Sequence, residues 1–120
     1  MTIRIDATKT VLANAYVNLG QFFGLATEDP GTDAHPNKEA DSGGSLTYSR
    51  EMPQWSVNDA GVATGQCTIK ADAGTYTHAI LCSAGGTTDS MIDNCPIGTP
   101  DGVTLNGAGQ VVLDVTYTQS

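Results

Sequence analysis

The sequence predicts a mainly β protein, an antiparallel β-sandwich of the immunoglobulin-like or jelly-roll-like kind with one short N-terminal helix. Three observations carry that expectation. From position 46 onward, strand-sized apolar pieces alternate with Gly, Pro, Asn and Asp turn signals about every eight to twelve residues, the rhythm of a sheet folded onto a sheet. The composition, 14 glycines and only 15% charged residues, suits short strands and tight turns. The closing segment, QVVLDVTYT, puts Val111, Leu113, Val115 and Tyr117 on one face. Gln110, Asp114, Thr116 and Thr118 share the other face with one apolar exception, Val112, which is the pattern of a half-buried antiparallel strand.

Taken in order, residues 2–6, TIRID, alternate Ile3 and Ile5 with polar neighbours and read as a short strand. Residues 7–19, ATKTVLANAYVNL, place Leu12, Ala15, Tyr16 and Leu19 at helical spacing and stop at Gly20, with Asp6 positioned as an N-cap. Thr10, Val11 and Val17 are β-branched and make a strand the competing assignment. QFFGLAT reads as a buried strand. The polar stretch LATEDPGTDAHPNKEADSGGS, residues 25–45, follows it, longer than the connections usual inside a compact domain. Beyond it LTYSREM, QWSV, VATGQCTIKA, TYTHAILCS, SMIDNCPI, VTL and the closing strand are each strand-sized. Within them Cys67, Ile69 and Ala71 share a face, as do Tyr76, His78, Ile80 and Cys82. A chain of 120 residues has the length of one domain, and 1–120 reads as one unit with no internal repeat.

Thirteen acidic residues against five basic ones give a formal charge of −8. The basic residues Arg4, Lys9, Lys38, Arg50 and Lys70 are scattered, the opposite of what phosphate binding needs, so no nucleic-acid partner is expected. No run approaches the ~18 apolar residues of a spanning helix, so no membrane partner is expected either. MTIRIDATKT carries an acid at position 6 and no apolar core of a secretory signal, so synthesis and folding in a cytoplasm are expected. The cysteines Cys67, Cys82 and Cys95 are odd in number, contain no C-x-x-C pair, and read as buried free thiols.

The search for chemistry is negative at each step. The spacing of Asp29, Asp33, Glu39 and Asp41 does not match a calcium loop, and two prolines restrict how the backbone could wrap an ion. His35 and His78 lack the short ligand pairs of a zinc site. No G-x-S-x-G elbow is present, and His78, the best general-base candidate, reads as a core or interface histidine. The Gly43-Gly44-Ser45 and Gly85-Gly86 stretches lack the lysine of a phosphate loop and read as turns. Trp55 suits a core anchor better than a sugar-stacking platform. No catalytic residue, metal or cofactor is therefore expected.

The long polar stretch carries a pattern: Leu25, Thr27, Asp29, Pro30, Gly31 and Thr32, then Asn37 and Glu39, then Ser42 to Ser45, Tyr48 and Arg50. Together with Trp55, the segment Ala73 to His78 and the strand opening at Gly109-Gln110-Val111, it resembles a family of small tailed-bacteriophage virion proteins, tail-fibre-like or capsid-decorating, of phages of actinobacteria. Lys38 stands between Asn37 and Glu39, which are adjacent in that pattern. The resemblance implies a noncatalytic virion protein that assembles in the host cytoplasm. It would act as a capsid decoration protein on the head exterior, clamping neighbouring major capsid subunits. The alternative it implies is a tail-fibre or tail-tip component that presents loops to host surface glycans. Partners would be the major capsid protein or tail proteins and other copies of the chain, as a homo-oligomer such as a trimer. Asp29, Pro30, Asp33, Glu39, Asp41, Tyr48, Arg50 and Trp55 form the expected interaction surface.

Overall fold

The computed structural model describes residues 4–41, 48–98 and 100–118, and within them the chain is mainly β with antiparallel pairing throughout and one N-terminal helix. The segments that alternate most cleanly in the sequence build the longest ladder. β3 (Ala63–Ala71) pairs with β8 (Gly109–Tyr117) along its whole length, setting Cys67 beside Leu113 and Ile69 beside Val111. β2 (Gln54–Val57) adds on the other side of β3, giving a sheet of order β2-β3-β8. A second sheet, β1-β5-β6, is built from β1 (Phe22–Ala26), β5 (His78–Cys82) and β6 (Met91–Pro96). β4 (Gly74–Tyr76) and β7 (Val103–Leu105) form a separate ribbon. TYTHAILCS, expected as one strand, is thus two: the chain leaves the ribbon at Thr77 and enters the other sheet at His78.

One core joins the sheets. Phe23, Leu25, Ala79 and Leu81 from the first face Ile69, Ala71, Val111 and Leu113 from the second, with Tyr76 buried among them. The Cα register, Phe23 opposite Leu81 and Leu25 opposite Ala79, puts these residues on one side of their sheet and Phe22, Gly24, Ala26, Ile80 and Cys82 on the other. Ile80, Cys82, Ala26 and Met91 form their own buried cluster there. Strands buried on both faces read as unbroken apolar runs, which is how FFGLA and HAILC read.

α1 (Asp6–Leu19) closes one end of the core. Tyr16 stacks on Tyr117 with ring centres 3.7 Å apart and meets the edge of Trp55 at 6.2 Å, while its hydroxyl donates to Asp93 at 2.7 Å. Gly20 ends the helix, its N–H bonded to the Tyr16 carbonyl, and a Cβ there would lie 2.6 Å from Leu81, so only glycine permits this approach. Two expectations need correction. Ile5, not Asp6, occupies the N-cap, without a side-chain bond; Asp6 is the first helical residue, where its charge complements the helix dipole. The buried face is also phased differently: Ala13 is buried and Lys9, Tyr16 and Val17 half-buried, while Leu12, Ala15 and Leu19 are exposed. The apolar residues mark a stripe, but the core takes the stripe next to it.

The expected strand at 2–6 does not form over Arg4 and Ile5, Asp6 already belongs to α1, and Thr2 and Ile3 lie outside the described residues. Of LTYSREM, Leu46 and Thr47 lie outside them as well, and Tyr48 to Met52 make only a single bridge, Glu51 to Phe23. The cysteines are free; Cys82 is buried as expected, whereas Cys67 and Cys95 are half-buried.

Candidate interaction surface

The stretch after β1 is a third layer. Asp29 accepts the Gly31 N–H at 2.9 Å, closing a turn over Pro30 in which Gly31 takes φ +88°, a conformation that favours glycine. From that turn the chain runs across β6: Asn94 donates to the Gly31 carbonyl at 2.9 Å, and the Met91 N–H reaches the Ala34 carbonyl at 2.9 Å. It then runs along β1. Thr27 N–H bonds the Lys38 carbonyl, Ala40 N–H the Leu25 carbonyl, and Glu51 exchanges both backbone bonds with Phe23. The outer edge of β1 is thereby paired by loop backbone.

Arg50 holds this layer down. Its side chain is fully buried, and its Nε and Nη2 grip Glu39 at 2.8 Å each in a two-pronged pair. The remaining donors reach the Thr88 and Ala84 carbonyls at 3.0 Å, with the Ser90 and Thr88 hydroxyls close by. Tyr48 completes the knot: its hydroxyl donates to Glu39 at 2.7 Å and accepts the Leu25 N–H at 3.1 Å. A Cβ on Gly24 would lie 2.5 Å from that hydroxyl, so the glycine makes room for the tyrosine. The Glu39 hydrogen bonds raise the Arg50 pKa further above its ordinary value, and burial followed by the Glu39 charge raises that of Tyr48. No described side-chain polar atom is left buried without a partner. A buried ion pair is sound only when satisfied in this way.

The eight residues expected to form one surface therefore divide. Glu39, Tyr48 and Arg50 meet in the knot, and Pro30 is fully buried, so Arg50 and Pro30 are corrected from surface contacts to interior supports. Trp55 packs on Phe23 at 5.5 Å and against Gly65, and its indole N–H bonds the Gly20 carbonyl at 3.0 Å. It is a core anchor, as the sequence suggested. Asp29, Asp33 and Asp41 are exposed, and Asp29 and Asp33 line a shallow groove with Ile92 and Asp93. The turn expected at Ser42 to Ser45 lies outside the described residues.

The remaining candidates for chemistry are quickly placed. His78 is half-buried and bonds the neighbouring Thr77 hydroxyl at 2.8 Å, and His35 pairs with Asp89 at 2.8 Å on the exposed surface. Among the described residues no group of three or more His, Cys, Asp or Glu side chains is placed to hold a metal ion. Burial pushes the Cys67 and Cys82 thiols up to about 11 and raises that of Cys95, so none is a ready nucleophile. No described helix is long and apolar enough to cross a membrane. Sequence reasoning missed the partners of Arg50 in the 84–90 turn, which are carbonyls and hydroxyls with no sequence signal. It also missed the exposed apolar flank of α1, which a heptad count would have found. Comparison of the chain with protein-family models, curated proteins and solved structures gives no match.

Proposed function

We propose that this chain is a non-enzymatic structural protein of a bacteriophage virion, a capsid decoration protein on the head exterior that clamps neighbouring major capsid subunits. One observation carries the reading furthest. The residues through which the sequence resembles that family, Asp29, Pro30, Gly31, Glu39, Tyr48 and Arg50, are those that turn, pin and clamp the outer layer. The pattern thus has a structural job, which is to turn a long polar connection into a fixed surface carrying Asp29, Asp33 and Asp41. Preorganised surface suits a protein that acts by burying area against neighbours in many copies, because little ordering entropy is left to lose on docking. Charge supports the same placement: at −8 the chain would be repelled by packaged nucleic acid and drawn to a basic partner surface.

The tail-glycan alternative would draw on Trp55, Tyr48 and the long polar stretch, and both rings are engaged inside the fold, which weighs against it. Quantitative mass spectrometry of purified particles encoding the chain tests the proposal. Hundreds of copies per head are expected; a handful of copies confined to tails would overturn it.

A further inference from the structure

Among the described residues, four of the seven exposed large apolar side chains lie on α1 or at its N-cap: Ile5 is 64% exposed, Val11 66%, Leu12 40% and Leu19 58%. Ile5, Leu12 and Leu19 are seven residues apart, and the small residues Thr8 and Ala15, also exposed, fall between them at the other core position of a heptad. Helix geometry sets this seam roughly 100° around the axis from Lys9, Ala13 and Tyr16, which face the protein. It is therefore a second stripe, separate from the docked one. Of the other exposed apolar residues described, Met52 and Val112 line one groove with Gln54 and Gln66, and Ile92 lies on β6, so they form no comparable line.

We propose that α1 pairs antiparallel with α1 of a second copy of this chain along Ile5, Thr8, Leu12, Ala15 and Leu19. The seam is self-complementary about Leu12: a two-fold axis there sets Ile5 against the partner copy's Leu19 and brings Thr8 beside its Ala15, so large and small side chains alternate along the contact. Charge selects the direction. Exposed Arg4 stands just before the helix, and the last turn has no basic residue to offset its carbonyls. Antiparallel pairing brings each Arg4 to the other helix's negative end, where a cation is stabilising, whereas parallel pairing puts Arg4 beside Arg4. Two features keep the pair reversible. Thr8 places a hydroxyl at a core position, which costs stability, and a seam of this length buries less than the ~1,600 Å² of a standard complex. Free chains therefore associate in a concentration-dependent way, and copies held close on one scaffold associate strongly. The inference deepens the self-association that the family resemblance implies, with a two-fold pair in place of the trimer named there, and rests on that part alone. Particle copy number tests head placement separately, so the two can fail independently.

The test is sedimentation equilibrium of the full chain over a concentration series, with Leu12→Glu, Leu12→Lys and Arg4→Glu beside it. The unaltered chain is expected to form dimers. Either Leu12 variant should be monomeric and should melt as the unaltered chain does at dilutions where that chain is itself monomeric, and an equimolar mixture of the two should restore dimers, since residue 12 faces residue 12. Arg4→Glu should weaken the dimer roughly 3- to 30-fold, from two helix-end interactions per pair. A monomer at all concentrations, a trimer, Leu12→Glu associating as the unaltered chain does, or an effect of Arg4→Glu below threefold would each overturn the antiparallel pair.

Discussion

Arg50 is the residue on which the outer layer depends. Removing one partner of a buried, fully bonded ion pair strands the other, so Arg50→Ala should cost about 3–5 kcal/mol in urea unfolding. Arg50→Lys should recover little of this, because an ammonium cannot reproduce the fork on Glu39 while also reaching the Thr88 and Ala84 carbonyls. Lys38 makes the opposite prediction. It is the one described non-glycine residue at positive φ, +59°, a conformation costing ~1–2 kcal/mol for a side-chain-bearing residue, so Lys38→Gly should raise stability by about 1 kcal/mol. The ionisable groups give a pH prediction with a definite sign. Tyr16, Tyr48 and Tyr76 have folded pKa values raised above the unfolded value of 10.0, chiefly by burial. Their contribution to stability is fully present below pH 10 and is lost as pH climbs from there toward the folded values. In an alkaline titration followed by phenolate absorbance, these three should therefore ionise together with unfolding rather than before it.

At the scale of elements, β8 and α1 separate what the sequence disclosed from what it withheld. The alternation of β8 is legible because a strand with one face buried writes its register into every second residue. Leu113 is 3% exposed and faces the core, so Leu113→Ala should cost ~2–5 kcal/mol. Leu12→Ala, on the exposed flank of α1, should leave the monomer's stability nearly unchanged. The sequence pattern alone treats Leu12 and Tyr16 as equivalent. What distinguishes them is tertiary: Tyr117, Trp55 and Asp93 meet Tyr16, whereas Leu12 stays 40% exposed. The docking of the helix should also fail at Gly61. That residue has φ +77°, and a Cβ there would lie 2.4 Å from Lys9, so Gly61→Ala should destabilise the chain and lower its far-ultraviolet helical signal. No periodicity announces such a contact, because it joins a turn to a helix far away in the sequence.

For the whole molecule, the mainly β class and the positions of QWSV, VTL and the closing strand follow from composition and turn spacing. The covering of β1-β5-β6 by residues 27–41 and 48–50 does not, although the unbroken FFGLA and HAILC runs imply that something must cover the second face. Of the expected interaction surface, Asp29 and Asp33 stay exposed while Pro30 and Arg50 are buried, because polarity does not report burial when a charge finds its counterion. The wrapped edge of β1 also sets the valence of its sheet. A sheet that can accept a strand at either end is a repeating unit and can polymerise without limit; one blocked at an end terminates growth after a single addition. The loop backbone occupies the outer edge of β1 at Phe23 and Leu25 and also takes the Met91 N–H of β6 on the Ala34 carbonyl, so it engages both ends of this sheet. Arg50, in holding the loop there through Glu39, keeps those ends occupied, and a clamp-deficient variant should reveal itself by fibrils as well as by lost stability.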